Sequence, residues 1–185
     1  MGHLSEYQRQ FLARPINPKR IKRVQGMSHL EAWDVRRYLI RVFGVGGWDF
    51  DILEAHMVSH AAESRQRNRK DGTVHEYTAH TVIYRVTGRL TIKDSSGVAL
   101  AHYDDAATGD GPSQPSLADA HDLALKTAVS QTLKRCAVNL GDQFGLSLYD
   151  DGSVDPVVRW QLTDPPRTDP ADEAEDKIIG RGDGS

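Results

Sequence analysis

The chain has 185 residues, enough for one domain with a real core, and its 38% hydrophobic and 26% charged residues are ordinary for a globular protein. No stretch approaches the roughly 18 consecutive apolar residues of a membrane span, and one cysteine, Cys136, excludes an internal disulfide and a zinc knuckle. The formal charge of −3 argues against a nucleic-acid partner only as a total, because residues 150 to 185 hold ten acids against four bases while Arg9 to Arg41 holds nine bases against two acids. A local excess of that size attracts a polyanion. The start, MGHLSEYQRQF, lacks a basic segment followed by an apolar run, so a reducing cytoplasm is the expected compartment, with no membrane association.

Ser5 and Gln8 have the spacing of a capping box, which predicts a short helix ended by Pro15 and Pro18. A basic connector, Lys19 to Arg23, follows. Ser28 and Glu31 repeat the box, and Ala32, Val35, Leu39, Val42 and Phe43 lie at helical spacing, predicting a helix over about 29 to 43 with Gly44 as its stop. Gly46 and Gly47 turn the chain into a strand starting at Trp48, where alternation is partial enough to predict a bulge. The stretch ESRQRNRKDG is too charged to bury, so Arg65, Arg67, Arg69 and Lys70 are expected at a loop tip beside the Asp71-Gly72 turn. Thr73 to Lys93 reads as a long strand, DSSG as a turn, and VALAHYDDAATG as a third strand of an antiparallel meander.

After GDGPSQP, read as flexible, Ser116 and Asp119 offer N-caps to a long helix. Its apolar stripe is Ala118, Leu125, Val129, Leu133, Cys136 and Leu140, and Ala120, Ala124 and Ala128 form a small-residue stripe suited to close packing on the sheet. The fold class expected is therefore α+β: a three-stranded antiparallel meander packed by a long helix, with an N-terminal helical segment. Residues 1–152 form the domain in this reading. Residues 153–185, rich in Pro, Asp and Gly, form an acidic disordered tail.

No GxxxxGK[ST] loop is present, so no nucleoside triphosphate and no other cofactor is expected. His56 and His60 lie in a strand with no HExxH pattern, which leaves no metal site. A nuclease would need Asp104, Asp105 and Asp110 to hold a metal, but adjacent strand residues face opposite ways. The positive signal is Lys134 with Arg135 at the rim of the long helix's packed face, continued by Lys126 and Ser130. Such cations track phosphates and tolerate any base sequence. From composition alone, an ordinary exposed helical face is the simpler account of them.

Several segments, in order, resemble the Rad-fifty-two family of annealing proteins and its bacteriophage relatives. SHLEAWDVRRYLIRVFGVGGWDFDI is similar to that family's helix and F-G-x-x-G-W turn, here Phe43, Gly44, Gly47 and Trp48. ALKTAVSQTLKRCAVNLGDQFGLSLYD resembles its signature helix, through Lys126, Ala128, Val129, Leu133, Lys134, Arg135, Gly141 and Gly145, and YQRQFLARPINPKRIKR resembles its lead-in. The resemblance covers roughly residues 5 to 150. It implies a β-β-β-α core, assembly into a homo-oligomeric ring or partial ring, and ATP-independent binding and annealing of single-stranded DNA in recombination and double-strand break repair. No covalent bond is made or broken, so the protein is not expected to be an enzyme. A bacterial or phage-infected cell is the implied setting.

The family's groove lysine and arginine map onto Lys134 and Arg135, and its amino-terminal groove arginine onto Arg23, with Lys22 or Arg20 as alternatives. A third groove cation falls on Val138, which leaves Lys126, Arg36, Arg37 or the loop cations to compensate. The family's second DNA-contacting surface lies on the β-hairpin, where Arg65, Arg67, Arg69 and Lys70 are the nearest features. The acidic tail is expected either to compete with DNA for the groove or to recruit a replication or single-strand-binding partner.

Overall fold

The computed structural model describes residues 3–24, 26–68, 70, 72–150 and 152–158. Helix α1 (Glu6–Leu12) starts at the expected capping box: the Gln8 N–H donates to Ser5 Oγ at 3.2 Å and the Ser5 N–H donates to Gln8 Oε1 at 2.8 Å. After a single 3-10 turn at Pro18–Arg20, the presumed connector forms a small antiparallel ribbon, β1 (Lys22–Val24) with β2 (Met27–His29), in which Arg23 faces Ser28. This corrects the start of the next helix. Ser28 is engaged in β2, so its capping box does not form, and α2 runs over Ala32–Phe43 after Glu31, which makes no side-chain cap. Gly44 ends α2 at φ +84°, a left-handed-side conformation that favours glycine.

The sheet is the expected meander, order β3-β4-β5, from β3 (Trp48–Asn68), β4 (Val74–Lys93) and β5 (Ala99–Gln114). Register shifts between Ile52 and Glu54 and between Met57 and Ser59 supply the bulges that the imperfect alternation signalled. Two expectations are corrected. Arg65 and Arg67 belong to β3, paired with Tyr77 and His75, and only Lys70 of the described loop cations sits at the turn. Second, the GDGPSQP stretch is not flexible through Gln114, because β5 continues to that residue. Its glycines serve close approach: a Cβ on Gly109 would lie 2.2 Å from the Ala128 backbone N, and one on Gly111 would lie 2.2 Å from the Ala120 carbonyl O.

Helix α3 (Leu117–Val138) begins where Ser116 accepts the Asp119 N–H at 3.3 Å. Its buried face is Ala120, Ala124, Ala128, Thr132, Leu133, Cys136 and Ala137, so the small-residue stripe packs while Leu125 of the expected stripe is 36% exposed. Glycines on β5 against alanines on α3 leave no room for leucines between them. Leu90, Ile92, Leu133 and Cys136 then join Leu12, Ile16, Val35, Leu39 and Phe144 in one core, which binds the N-terminal helices to the sheet and to α3.

A buried polar knot completes that core. Arg20 Nε donates to Asp34 Oδ2 at 2.8 Å, its terminal nitrogen to Gln143 Oε1 at 3.1 Å, and its guanidinium lies 3.2 Å from the Tyr38 ring centre. Beyond α3, a turn at Asp142–Phe144 leads into the short helix α4 (Leu146–Asp150). Buried Asp142 accepts the N–H groups of Ser147, Val157 and Val158 at 3.1, 3.3 and 3.3 Å, tying residues 157–158 to this end of the domain. The acidic stretch from residue 159 lies outside the described residues.

Candidate nucleic-acid interface

The last turns of α3 are pinned to β4. Thr132 Oγ1 donates to Val86 O at 3.1 Å and Cys136 Sγ to Gly88 O at 3.5 Å, so of the three residues between them Leu133 is buried in the core and the other two project in set directions. Those residues are Lys134 and Arg135. Lys134 is half-buried and makes no hydrogen bond or ion pair to any described residue, and burial pulls its ammonium pKa below the ordinary value. Arg135, 46% exposed, donates from Nε to Asp105 Oδ1 at 3.0 Å, and that bond with its charge raises the guanidinium pKa. One cation is thus desolvated without a counter-charge. Its neighbour spends one nitrogen on Asp105 and keeps its two terminal nitrogens for another acceptor.

Asp104 is taken on the opposite sheet face by both ends of the Arg89 guanidinium, at 2.7 and 2.7 Å, which holds its carboxyl below the usual range. Asp104 and Asp105 therefore cannot converge, and Asp110, six residues along β5, is about 20 Å from Asp104 at strand spacing. Among the described residues no group of three acids, histidines or cysteines is placed to hold a metal. Nothing in this arrangement supports the nuclease reading.

The remaining expected site residues separate into distinct sets. Lys22 and Arg23 are exposed on β1 with no partner among the described residues. Arg20 is excluded as a phosphate ligand, because it is 7% exposed and bound to Asp34. Arg36 is half-buried and unpaired among the described residues, whereas Arg37 is held 2.5 Å from Asp34 and lies over Trp33. Lys126 pairs with Asp122 at 2.6 Å, and half-buried Val138 contributes no charge. Arg65 pairs with Glu63 at 3.3 Å, Arg67 and Lys70 are exposed, and Arg69 lies outside the described residues. Arg65 faces Tyr77 while Asp105, the Arg135 partner, faces Gly88, so the hairpin cations stand about 35 Å along β4 from the α3 pair.

Sequence reading missed a depression of about 480 Å³ at the β5 edge. Arg85, Thr108, Gln131, Arg135 and Tyr149 line it. The β4–β5 register sets Arg85 opposite Thr108, the packing of α3 against β5 adds Gln131 and Arg135, and no local motif marks the group.

A three-stranded meander closed by one long helix, with adjacent cations on that helix and an N-terminal helical cap, defines a β-β-β-α domain built around a cationic helix end. Residues 4–165 match the model of the Rad52/22 family of double-strand break repair proteins, and the chain belongs to that family. Its sequence is also similar to the DNA repair and recombination protein rti1 of Schizosaccharomyces pombe (strain 972 / ATCC 24843), with 27% identity over 153 residues. That alignment covers 80% of this chain and 37% of the relative, so the chain spans little more than a third of that protein's length.

Proposed function

We propose that this chain binds single-stranded DNA along the α3 cations and anneals complementary strands without ATP, in homologous recombination and double-strand break repair. The observation that carries the reading is the pair Lys134 and Arg135, one desolvated with no counter-charge and the other with terminal nitrogens open. A phosphate supplies what Lys134 lacks. Charge on phosphates carries no base identity, so such contacts hold any sequence and leave base edges available for pairing.

Annealing requires extended strands and reduced repulsion between them. Each protomer need neutralise only a few phosphates if many copies act on one strand, because linked weak sites raise the effective concentration of each next contact. Base stacking in the product contributes about 1.4 kcal/mol per step, so the reaction needs no nucleotide hydrolysis and no covalent chemistry by the protein. Assembly into a homo-oligomer, a ring or part of one, is supported by β3. It is an edge strand of 21 residues, exposed from Asp51 onward, and it carries Ile52, Leu53, Met57 and Val58 half-exposed. Long uncovered edges with apolar side chains invite another chain. The exposed Lys22 and Arg23 extend the cationic surface in this reading, and Arg67 and Lys70 serve a second strand at the hairpin. The acidic segment beyond residue 158 competes for the groove or recruits a replication or single-strand-binding partner. A reducing cytoplasm is the proposed setting, consistent with a buried, unpaired Cys136.

The test is fluorescence anisotropy with a labelled single strand, together with annealing of complementary strands in the absence of ATP. Lys134→Ala with Arg135→Ala should abolish annealing while leaving the assembly state unchanged by light scattering. Unchanged single-strand affinity in that double variant would overturn the reading.

A further inference from the structure

The geometry points to the depression at the β5 edge as a seat for one nucleotide of the bound strand, its phosphate between Arg85 and Arg135 and its base against Tyr149. This rests on the single-strand reading above and adds residues to that same site. Three observations carry it. Arg85 rises from the sheet face opposite α3, makes no hydrogen bond or ion pair with any described residue, and senses Glu54 of the adjacent strand β3 only through space. It lines the same depression as Arg135, so two guanidinium groups from opposite sides of β5 face one space of about 480 Å³. Tyr149 is 61% exposed in that lining, an aromatic ring with no ring partner among the described residues.

The chemistry follows from these placements. Two guanidinium groups are matched to the oxygens of a phosphodiester, and Arg135 can donate from its terminal nitrogens while Nε remains on Asp105. Between them the wall is Ala106, Ala107 and Thr108, small enough for a sugar-phosphate to approach the strand. Tyr149 offers a face on which any base stacks, and Gln131 adds an amide to the same wall. Neither Asp104 nor Asp110 is part of the lining. The seat therefore selects an unpaired, backbone-anionic polymer bearing flat rings, and a duplex, whose bases are stacked on each other, cannot use Tyr149.

The experiment measures binding of the full chain to a fluorescein-labelled oligothymidylate and to a matched strand of abasic deoxyribose phosphates, over a salt series. Arg85→Ala should lower the slope of log affinity against log salt by about 0.7, the loss of one phosphate contact on a single strand. Arg85→Lys should restore that slope. Tyr149→Ala should weaken oligothymidylate binding roughly tenfold, leave abasic-strand binding equal to wild type, and be rescued by Tyr149→Phe. An unchanged slope in Arg85→Ala, or equal weakening on both strands in Tyr149→Ala, overturns the seat. If those variants bind as wild type while Lys134→Ala with Arg135→Ala loses binding, only the seat fails. If wild type binds neither strand, the single-strand reading fails with it.

Discussion

Replacing Gly109 with alanine probes how α3 is held and whether its cations depend on that hold. The new Cβ would sit 2.2 Å from Ala128 N and 2.7 Å from Ala124 O. Both atoms are backbone, so no rotamer change relieves the clash, and ordinary carbon contacts begin at about 3.5 Å. The helix must withdraw by roughly 1 Å, which also loosens Val82, Val86, Ala124 and Ala128, all 0% exposed. Overpacking costs about 1–3 kcal/mol, and with this loosening we expect about 3 kcal/mol, or a Tm lower by about 6–12 °C for a chain of this size. Gly97→Ala is the control, because Gly97 has φ +83° with nothing within 4 Å and is subject only to backbone strain of about 1 kcal/mol. Urea denaturation followed by tryptophan fluorescence reads both variants. Should Gly109→Ala prove no more destabilising than Gly97→Ala, close backbone approach is not what seats α3. A folded Gly109→Ala variant should also anneal poorly, since Lys134 and Arg135 follow two turns later on the displaced helix.

Lys134→Met should raise the urea midpoint of the free protein at neutral pH while weakening single-strand binding, because desolvation penalises the charged amine in the fold. The sign follows from its lowered pKa: between the folded value and the unfolded one the unfolded chain binds more protons, so wild-type stability rises with pH through that window, and Lys134→Met should lose this rise. A lower midpoint in Lys134→Met would refute the assignment. Burial pushes the Cys136 thiol up to about 11, so native protein at neutral pH should resist iodoacetamide and react only on unfolding, as mass spectrometry would show. Arg20→Ala should cost about 3 kcal/mol in urea unfolding, the low end for a broken buried pair because Arg37 remains on Asp34. A loss below about 1 kcal/mol would show the knot to be dispensable.

Much of the architecture was legible locally. Ser5 with Gln8, the turn at Asp94–Gly97, the N-cap at Ser116 and the strand-forming composition of Thr73 to Lys93 are signals read over a few residues, and all appear where expected. The family was legible too, since the motifs around Trp48 and Lys134 survive in chain order. Three-residue strands escaped, because β1 and β2 are too short for periodicity to register, and with them the true start of α2.

The sequence alone determined the existence of the principal helices and of the three-stranded meander, and that Lys134 and Arg135 share the end of one helix, because those properties depend on neighbours a turn or two away. Tertiary structure decided which face of α3 is buried, that Arg20 is a structural residue bound to Asp34 and Gln143, that Asp104 and Asp105 serve different arginines, and that Arg85 and Tyr149 meet Arg135. Each of those outcomes depends on strand register and on the glycine-permitted approach of β5 to α3, which join residues far apart in the chain. No short-range pattern encodes such pairings, since the same side chains at the same spacing would meet other partners if the register moved by one residue.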